Sequence, residues 1–279
     1  MTDWRNILAS DCAAPADRPL QELTDELVTM LAAPDPAVRD DVAYPILALW
    51  TGRGVLDGQL AKLGDVLADR IGAGPIYQRS FAAMSLSWVI LRDATTAELS
   101  DVQVLGWLDT FGSWWTGETD LRGWDADLGW LHAIAHGADL LRAFGRSPRL
   151  GGQRLRGLLD LAAGRLLSVH GYLWADGEDD RLGYALASVL TRSELTAADA
   201  TRWLARIRDA IELGEPGPVP AWAANTLRTL GSLYVFADRG VTWYDPQAGA
   251  MGDAVALPHA GLVQDAVADV LRLPWRGLA

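Results

Sequence analysis

The sequence predicts an all-α protein built as a HEAT-like solenoid of about five helical hairpins. Apolar residues recur with helical spacing along most of the 279 residues, whereas sustained two-residue alternation is scarce. Clusters of glycine and proline separate the helical segments. Similar segments also recur, and Arg39 and Arg79, which open two of them, are 40 residues apart. Two helices in a period of roughly 40 to 50 residues are typical of HEAT-like repeats.

The first helix of each predicted repeat opens with arginine beside small polar residues and continues into an apolar stretch rich in alanine. The three closest matches are residues 39–50 (RDDVAYPILALW), 78–91 (QRSFAAMSLSWVIL) and 180–190 (DRLGYALASVL). Helices expected from Leu128 and from Ala221 take the same place less closely. Because one hairpin cannot bury its apolar face alone, neighbouring hairpins are expected to stack on each other.

A second helix is expected in each repeat, and the C-terminal end is expected to differ from the repeats. The second helices are predicted at residues 57–71, 97–114, 151–169 and 197–213. Residues 240–254 indicate a loop with a short strand, and residues 258–273 indicate a closing helix. We therefore predict one helical-repeat domain over residues 1–279, with 240–279 as a loop-rich cap. A closed α/α toroid, which uses the same hairpins, is the alternative architecture.

Composition excludes several classes of protein. The formal net charge of −12 disfavours nucleic acid as a partner, because an acidic surface repels phosphate. A single cysteine excludes an internal disulfide framework and a cysteine-rich zinc site. The longest apolar run, at residues 81–91, is too short to span a bilayer, and the first residues lack an export signal. These features predict a cytoplasmic protein that does not enter the membrane.

Residues 118–142 hold the densest group of side chains that can do chemistry. On a helix beginning at Leu128, His132, His136 and Asp139 fall on one narrow stripe, since each residue advances about 100°. Apolar or small residues border this stripe on both sides, so we expect it to face a cavity or a packed neighbour. Glu118 and Asp120 lie in the segment just before the helix.

Three interpretations of this stripe remain open. Imidazoles at i and i+4 with a carboxylate at i+7 can bind a divalent metal, which makes His132, His136 and Asp139 candidate ligands. A metal-free pocket can instead use the histidines with Glu118 or Asp120 for acid–base chemistry. The third interpretation is structural, with buried polar groups satisfying the neighbouring loop. The stronger zinc motif HExxH is absent, because Ala-Ile-Ala separates the two histidines.

Further residues are candidates for ligand binding. Arg122 can hold a carboxylate or phosphate through its planar guanidinium. Trp115, Trp124 and Trp130 belong to a local concentration of tryptophan, a residue that commonly forms rigid apolar platforms in ligand sites. Together with Asp139, these side chains form the predicted ligand-binding set.

Two functions follow from these observations. The favoured one is a binding module whose groove holds a small molecule, a peptide or a protein partner, since concave solenoid surfaces commonly bind ligands. The alternative is a hydrolase or lyase in which His132, His136, Glu118 and Asp120 are catalytic and Arg122 holds an anionic group. The chain has no GxSxG, P-loop or GxGxxG motif, which disfavours the common hydrolase, NTPase and dinucleotide folds.

The central segment also resembles a known family. Residues 118–123 (ETDLRG) and 129–141 (GWLHAIAHGADLL) are similar to the central motif of the bacterial family named domain of unknown function 2785. That motif has an E-x-D-x-R-G box followed by G-W-x-H-A-x-A-H-x-x-D-L-L. Residues 39–50, 79–81 and 178–182 look like further family features, so the resemblance covers about residues 35–200. It implies an all-helical, HEAT-like protein and brings no assigned activity.

Overall fold

A computed structural model of the protein describes residues 2–214 and 217–273. The chain is mostly helical with a few short strands, which confirms the all-α prediction. Its internal contacts divide it into two compact units. Unit 1 comprises Met1–Ser147 and Asp245–Ala250, and unit 2 comprises Pro148–Tyr244 and Met251–Ala279. A single domain over residues 1–279 stays a prediction, and residues 274–279 of the expected cap lie outside the described residues.

Unit 1 carries the predicted first repeats. Its helices are α1 (Trp4–Ala9), α2 (Leu20–Met30), α3 (Pro36–Val38), α4 (Tyr44–Gly52), α5 (Leu60–Ile71), α6 (Ile76–Thr96), α7 (Asp101–Gly117) and α8 (Ala133–Arg146). A π-helical turn at Arg39–Ala43 joins α3 to α4, and the strands β1 (Trp124–Asp125) and β2 (Gly129–Trp130) lie between α7 and α8. Helix α6 packs between α4 and α8, while α5 contacts both α6 and α7. In unit 1, α4, α6 and α8 thus pack side by side in one row.

Local sequence explains where several of these helices begin. Ser100 and Gln103 form a capping box at the start of α7, which satisfies two backbone N–H groups. Helix α5 has no such cap from Gln59, the residue before it. The carboxylate of Glu98 accepts hydrogen bonds there instead, at 2.8 Å from each of the N–H groups of Gly58 and Leu60. Glu98, in the loop between α6 and α7, therefore caps this helix.

The π-helical turn before α4 has a local cause as well. Pro45 is the second residue of α4, and it has no N–H to donate to the preceding turn. The chain widens just before it, so that the N–H of Tyr44 donates to the carbonyl of Arg39, five residues back. This turn places Arg39 inside unit 1, where its side chain is fully buried.

Unit 2 contains the later helices: α9 (Gly152–Leu166), α10 (Glu178–Leu190), α11 (Ala197–Glu212), α12 (Ala221–Arg239) and α13 (Ala260–Leu271). Helix α10 packs on α12, and α11 contacts both α9 and α13. Between α12 and α13 the chain forms the paired strands β3 (Tyr244–Asp245) and β4 (Ala250–Met251), as the sequence of this segment indicates. Helix α13 lies where a closing helix is expected, and its role as a cap stays a prediction.

The bounds of the predicted helices agree with the structure except before α8. Helices α5, α7, α9 and α11 lie within a few residues of the predicted second helices. The expectation of a helix beginning at Leu128 is wrong, because Leu128 lies in the turn between β1 and β2 and α8 begins at Ala133. Within the described ranges, no helix is both long and apolar enough to cross a membrane.

Candidate functional site

A short hairpin replaces the expected start of the central helix. Strand β1 pairs with β2 in antiparallel register, with Trp124 opposite Trp130 and Asp125 opposite Gly129. Asp125 Oδ1 accepts hydrogen bonds from the N–H groups two and three residues further on, at 3.0 and 3.1 Å. Gly129 closes the turn with a φ of +72°, a conformation that favours glycine. We call residues 123–130 the tryptophan hairpin.

The backbone at His132 connects this hairpin to α8. The N–H groups of Leu131 and His132 both donate to the carbonyl of Gly123, at 2.8 and 3.2 Å. His132 takes a left-handed conformation, with φ 44° and ψ 39°, and is the residue before the first turn of α8. Because His132 is not itself helical, helical spacing does not give the direction of its side chain.

Arg39 anchors the hairpin to the π-helical turn. Its Nη1 donates to the carbonyl of Ala33 at 2.9 Å, and its Nη2 donates to the carbonyls of Leu128 and, at 3.4 Å, Trp130. The neighbouring Asp40 lies 2.6 Å from Arg39 Nε and accepts from the N–H of Trp130 at 3.3 Å. Burial raises the pKa of Asp40, and the Arg39 guanidinium opposes that effect. Sequence reasoning singled out Arg39 only as the opening of a repeat.

Within unit 1, five aromatic rings form a continuous series that runs from the tryptophan hairpin to α6. Trp124 meets Trp130 edge to face, with centroids 4.7 Å apart and planes at 75°. Trp130 stacks on His132 at 4.3 Å with planes at 7°. His136 follows at 5.3 Å from His132, and Phe81 of α6 meets His136 edge to face at 4.8 Å. We call these five rings the aromatic ladder.

The two ends of the aromatic ladder differ in exposure. Trp124 and Trp130 are 49% and 38% exposed, whereas His132 and His136 are 6% and 2% exposed. The predicted residues Trp124, Trp130, His132 and His136 are therefore brought together, but the imidazoles lie beneath the indoles. Phe81 is the member that sequence reasoning missed, although the resemblance of residues 79–81 to the family was a signal for it.

Charged side chains pair with each other at the side of the hairpin. Arg122 binds both carboxylate oxygens of Asp120, at 2.9 and 2.8 Å, and its Nη1 lies 2.5 Å from Asp125 Oδ2. The Arg122 hydrogen bonds are the main cause that lowers the pKa of Asp120. The backbone N–H of Asp127 is the main cause that lowers the pKa of Asp125. Arg122, predicted to hold an anionic ligand, thus already bridges two carboxylates of its own chain.

Glu118 has a different set of contacts. Its Oε2 accepts from Arg79 Nε and from Trp114 Nε1, both at 2.8 Å, and its Oε1 accepts from the N–H groups of the next two residues at 3.0 Å. Arg79 and Glu118 line an open depression of about 790 Å³ between α6 and α7. These bonds turn the Glu118 carboxylate towards α6 and α7.

Two other predicted residues lie along α7 and α8. Trp115 is fully buried, where it stacks on Phe111 at 5.4 Å and lies against Gly137 of α8. The Trp115 ring therefore has no accessible surface in this structure, and its role in ligand binding stays a prediction. Asp139 is half-buried in the second turn of α8.

The predicted metal ligands lie on and just before α8. In the part of the chain that the structure describes, no three His, Cys, Asp or Glu side chains are grouped so that they could hold a metal ion. The binding of a metal by His132, His136 and Asp139 accordingly gains no support from this grouping and stays a prediction. The hairpin leaves His132 outside the helix to which that helical spacing applies.

Comparison with known proteins agrees with the resemblance of the central motif. The family model described as protein of unknown function (DUF2785) matches residues 69–235, which include the aromatic ladder and extend further towards the C-terminus than the motif suggested. No curated protein and no solved structure matches the chain. The matched span covers more than half of the sequence, and the chain therefore belongs to the DUF2785 family of proteins of unknown function.

Proposed function

We propose that this protein is a helical-repeat binding protein whose tryptophan hairpin binds a peptide segment of a partner protein. The observation that carries the proposal is the pair of adjacent indoles, Trp124 and Trp130, exposed by 49% and 38%. Burial of large aromatic rings is favourable, and two rings exposed side by side forgo that stabilisation. Tryptophan is also enriched among the residues that dominate binding at protein interfaces. A partner that covers these rings recovers that free energy.

The hairpin is held in place before any partner arrives. Arg39 and Asp40 bond to its backbone from the π-helical turn, and His132 supports the ring of Trp130 by stacking. A side chain on Gly129 would lie 2.7 Å from Pro36 Cβ, so the hairpin also packs closely on α3. A preformed surface loses little conformational entropy on binding, which favours affinity. Rigidity of this kind supports a recognition role.

We also propose that the helical hairpins form a HEAT-like solenoid, with the closed toroid as the alternative. Support comes from side-chain bonds that join residues 38 to 42 positions apart, close to one repeat length. They are Trp50 with Cys12, Arg70 with Val28, Trp107 with Asp65, Arg79 with Glu118, Arg192 with Leu150 and Arg202 with Asp160. Such ties are expected where equivalent positions of adjacent repeats face each other.

Binding is better supported than the alternative of a hydrolase or lyase. The candidate general acids are occupied, Glu118 with Arg79 and Asp120 with Arg122. An ionised carboxylate bonded to a guanidinium is a poor proton donor, and the Arg122 hydrogen bonds lower the pKa of Asp120. A reaction that uses these carboxylates as general acids would require the pairs to separate, whereas binding by the exposed indoles requires no such separation.

A random peptide library displayed on phage tests the proposed function. We expect the wild-type protein to enrich peptides that the Trp124→Ala variant does not retain, because that substitution removes the more exposed ring. Tyr234→Ala, which removes a ring that is 39% exposed on α12, is the matched control and should enrich the same peptides as the wild type. Enrichment of identical peptides by the wild type and Trp124→Ala, or of none by either, would contradict the proposal.

A further inference from the structure

We propose that the peptide bound by the tryptophan hairpin is basic, with an arginine or lysine side chain lying against Trp124 and Trp130. This inference rests on the proposed function and names the chemistry of its ligand. It follows from three observations: the charge around the exposed rings, a guanidinium at the inner end of the aromatic ladder, and the pairing of Arg122.

The surface around the exposed rings is acidic. Asp120, Asp125 and Asp127 lie in or beside the hairpin, and Arg122 is the basic residue among them. Over residues 120–127, three carboxylates and one guanidinium give a net charge of −2. Asp127 is exposed, and its side chain is free to face solvent or a ligand. Such a surface attracts a cation and repels an anion.

The aromatic ladder already binds a guanidinium at its inner end. The guanidinium carbon of Arg39 lies 5.0 Å from the ring centroids of both Phe81 and Tyr77. Phe81 is the innermost ring of the ladder, and Trp124 and Trp130 are the outermost. Indole faces attract cations more strongly than phenyl faces do. The exposed end of the ladder therefore carries a ring type that attracts cations more strongly than the phenyl ring that Arg39 contacts.

The pairing of Arg122 argues against an anionic ligand. Its guanidinium bonds to Asp120 and Asp125, so an incoming carboxylate or phosphate would have to displace two carboxylates of the same chain. The formal charge of −12 over the whole chain adds a long-range attraction for basic partners. A peptide that alternates arginine with small residues fits both the rings and this charge.

Fluorescence anisotropy with defined peptides tests the inference. Two capped, labelled peptides of equal length are compared, one alternating glycine with arginine and the other glycine with citrulline, which keeps the shape of arginine without its charge. We expect the arginine peptide to bind the wild-type protein about tenfold more tightly, since cation–π and charge attraction are both lost with citrulline. Its affinity should fall as salt is raised.

Matched variants distinguish binding at the tryptophan hairpin from general attraction of the peptide to an acidic protein. We expect Trp124→Ala to weaken binding of the arginine peptide about tenfold and Asp127→Asn to weaken it about twofold. Trp124→Phe, which keeps an aromatic face, should retain most of the affinity. Tyr234→Ala and Asp209→Asn are exposed controls in unit 2 and should bind like the wild type. Near-ultraviolet circular dichroism checks that each variant is folded.

The outcomes distinguish failure of this inference from failure of the proposed function on which it rests. Equal binding of the citrulline peptide, or binding of the arginine peptide that neither Trp124→Ala nor Asp127→Asn weakens, would overturn the inference. Library peptides that need Trp124 but carry no basic residue would overturn it while supporting the proposed function. Agmatine, a small guanidinium compound, is the third probe. Binding of agmatine as tight as that of the arginine peptide, with the same dependence on Trp124, would assign the site to small amines instead.

Discussion

Gly137 shows how a single residue sets the approach of two helices. A Cβ atom built at this position of α8 overlaps the indole of Trp115, which is fully buried between α7 and α8. Trp115 also stacks on Phe111, and Phe111 stacks on Phe144 of α8 at 5.7 Å. The ring therefore has no free direction in which to move. The glycine is needed here for close packing, since its own backbone is ordinary helix.

Replacement of Gly137 with alanine should destabilise the protein. We expect Gly137→Ala to lower the free energy of unfolding by about 1–3 kcal/mol, because overpacking of a rigid buried ring outweighs the better helix propensity of alanine. Urea denaturation followed by circular dichroism measures the change. Gly106→Ala in α7 is the matched control: its Cβ meets nothing within 4 Å, so it should raise stability by up to about 1 kcal/mol. Equal effects of the two substitutions would contradict this account.

Single residues also show what the sequence could predict of the site. The density of polar and aromatic side chains predicts a candidate site in residues 118–142, and this segment does hold four of the five ladder rings. The role of Arg39 could not be derived in this way, because it lies 89 residues before Leu128, whose carbonyl it binds. The burial of Trp115 likewise depends on a neighbour on another helix. Contacts between residues so distant in sequence depend on the tertiary fold and produce no recognisable spacing in the local sequence.

The tryptophan hairpin is the element that sequence periodicity missed. Helical spacing continued through Leu128 and His132 because they are four residues apart, although neither is helical. A local signal was present, since Asp125 and Gly129 are typical of the two ends of a tight turn and Trp124 and Trp130 favour strands. No sequence signal predicts the left-handed backbone of His132, because such a conformation is uncommon for residues other than glycine.

The cap of α5 is a second feature at the scale of elements. Glu98, in the loop between α6 and α7, accepts from the N–H groups of Gly58 and Leu60, about 40 positions earlier. Free N–H groups at a helix start must find acceptors, and Gln59 gives no cap of its own. The first turn of α5 therefore depends on the loop between α6 and α7, which couples the stability of this helix to that loop.

Removal of this cap should loosen the start of α5. We expect Glu98→Ala to lower the free energy of unfolding by about 1 kcal/mol, the usual effect of losing a helix cap, and Glu98→Gln to have a smaller effect because one acceptor oxygen remains. Hydrogen exchange should accelerate at Gly58 and Leu60 in particular. Glu22→Ala, which removes one partner of an exposed ion pair, should change stability by less than about 0.5 kcal/mol. Unchanged exchange at Gly58 and Leu60 would refute the coupling.

At the scale of the whole molecule, the sequence predicts most of the helices and leaves their arrangement open. Helix bounds follow from periodicity and from breakers, which are local properties of the chain. The bonds between residues about 40 positions apart support repeats, but whether these close into a ring depends on small rotations at each step that the sequence does not encode locally. Cytoplasmic location and the absence of nucleic acid as a partner rest on composition and stay predictions.

The net charge gives the last prediction, because two electrostatic effects oppose each other in this chain. Surface ion pairs such as Arg202 with Asp160 weaken when salt is added, but each contributes little. Repulsion among 36 acidic residues, against 24 basic ones, acts over longer distances and destabilises the compact state.

Raising NaCl from about 0.01 M to about 0.15 M shortens the Debye length from roughly 30 to 8 Å. Repulsion should therefore decrease more than attraction does, and the free energy of unfolding in urea should rise by an amount on the order of 1 kcal/mol with an unchanged m value. KCl should act equally if the effect is screening, whereas a fall in stability would mean that the ion pairs outweigh the repulsion.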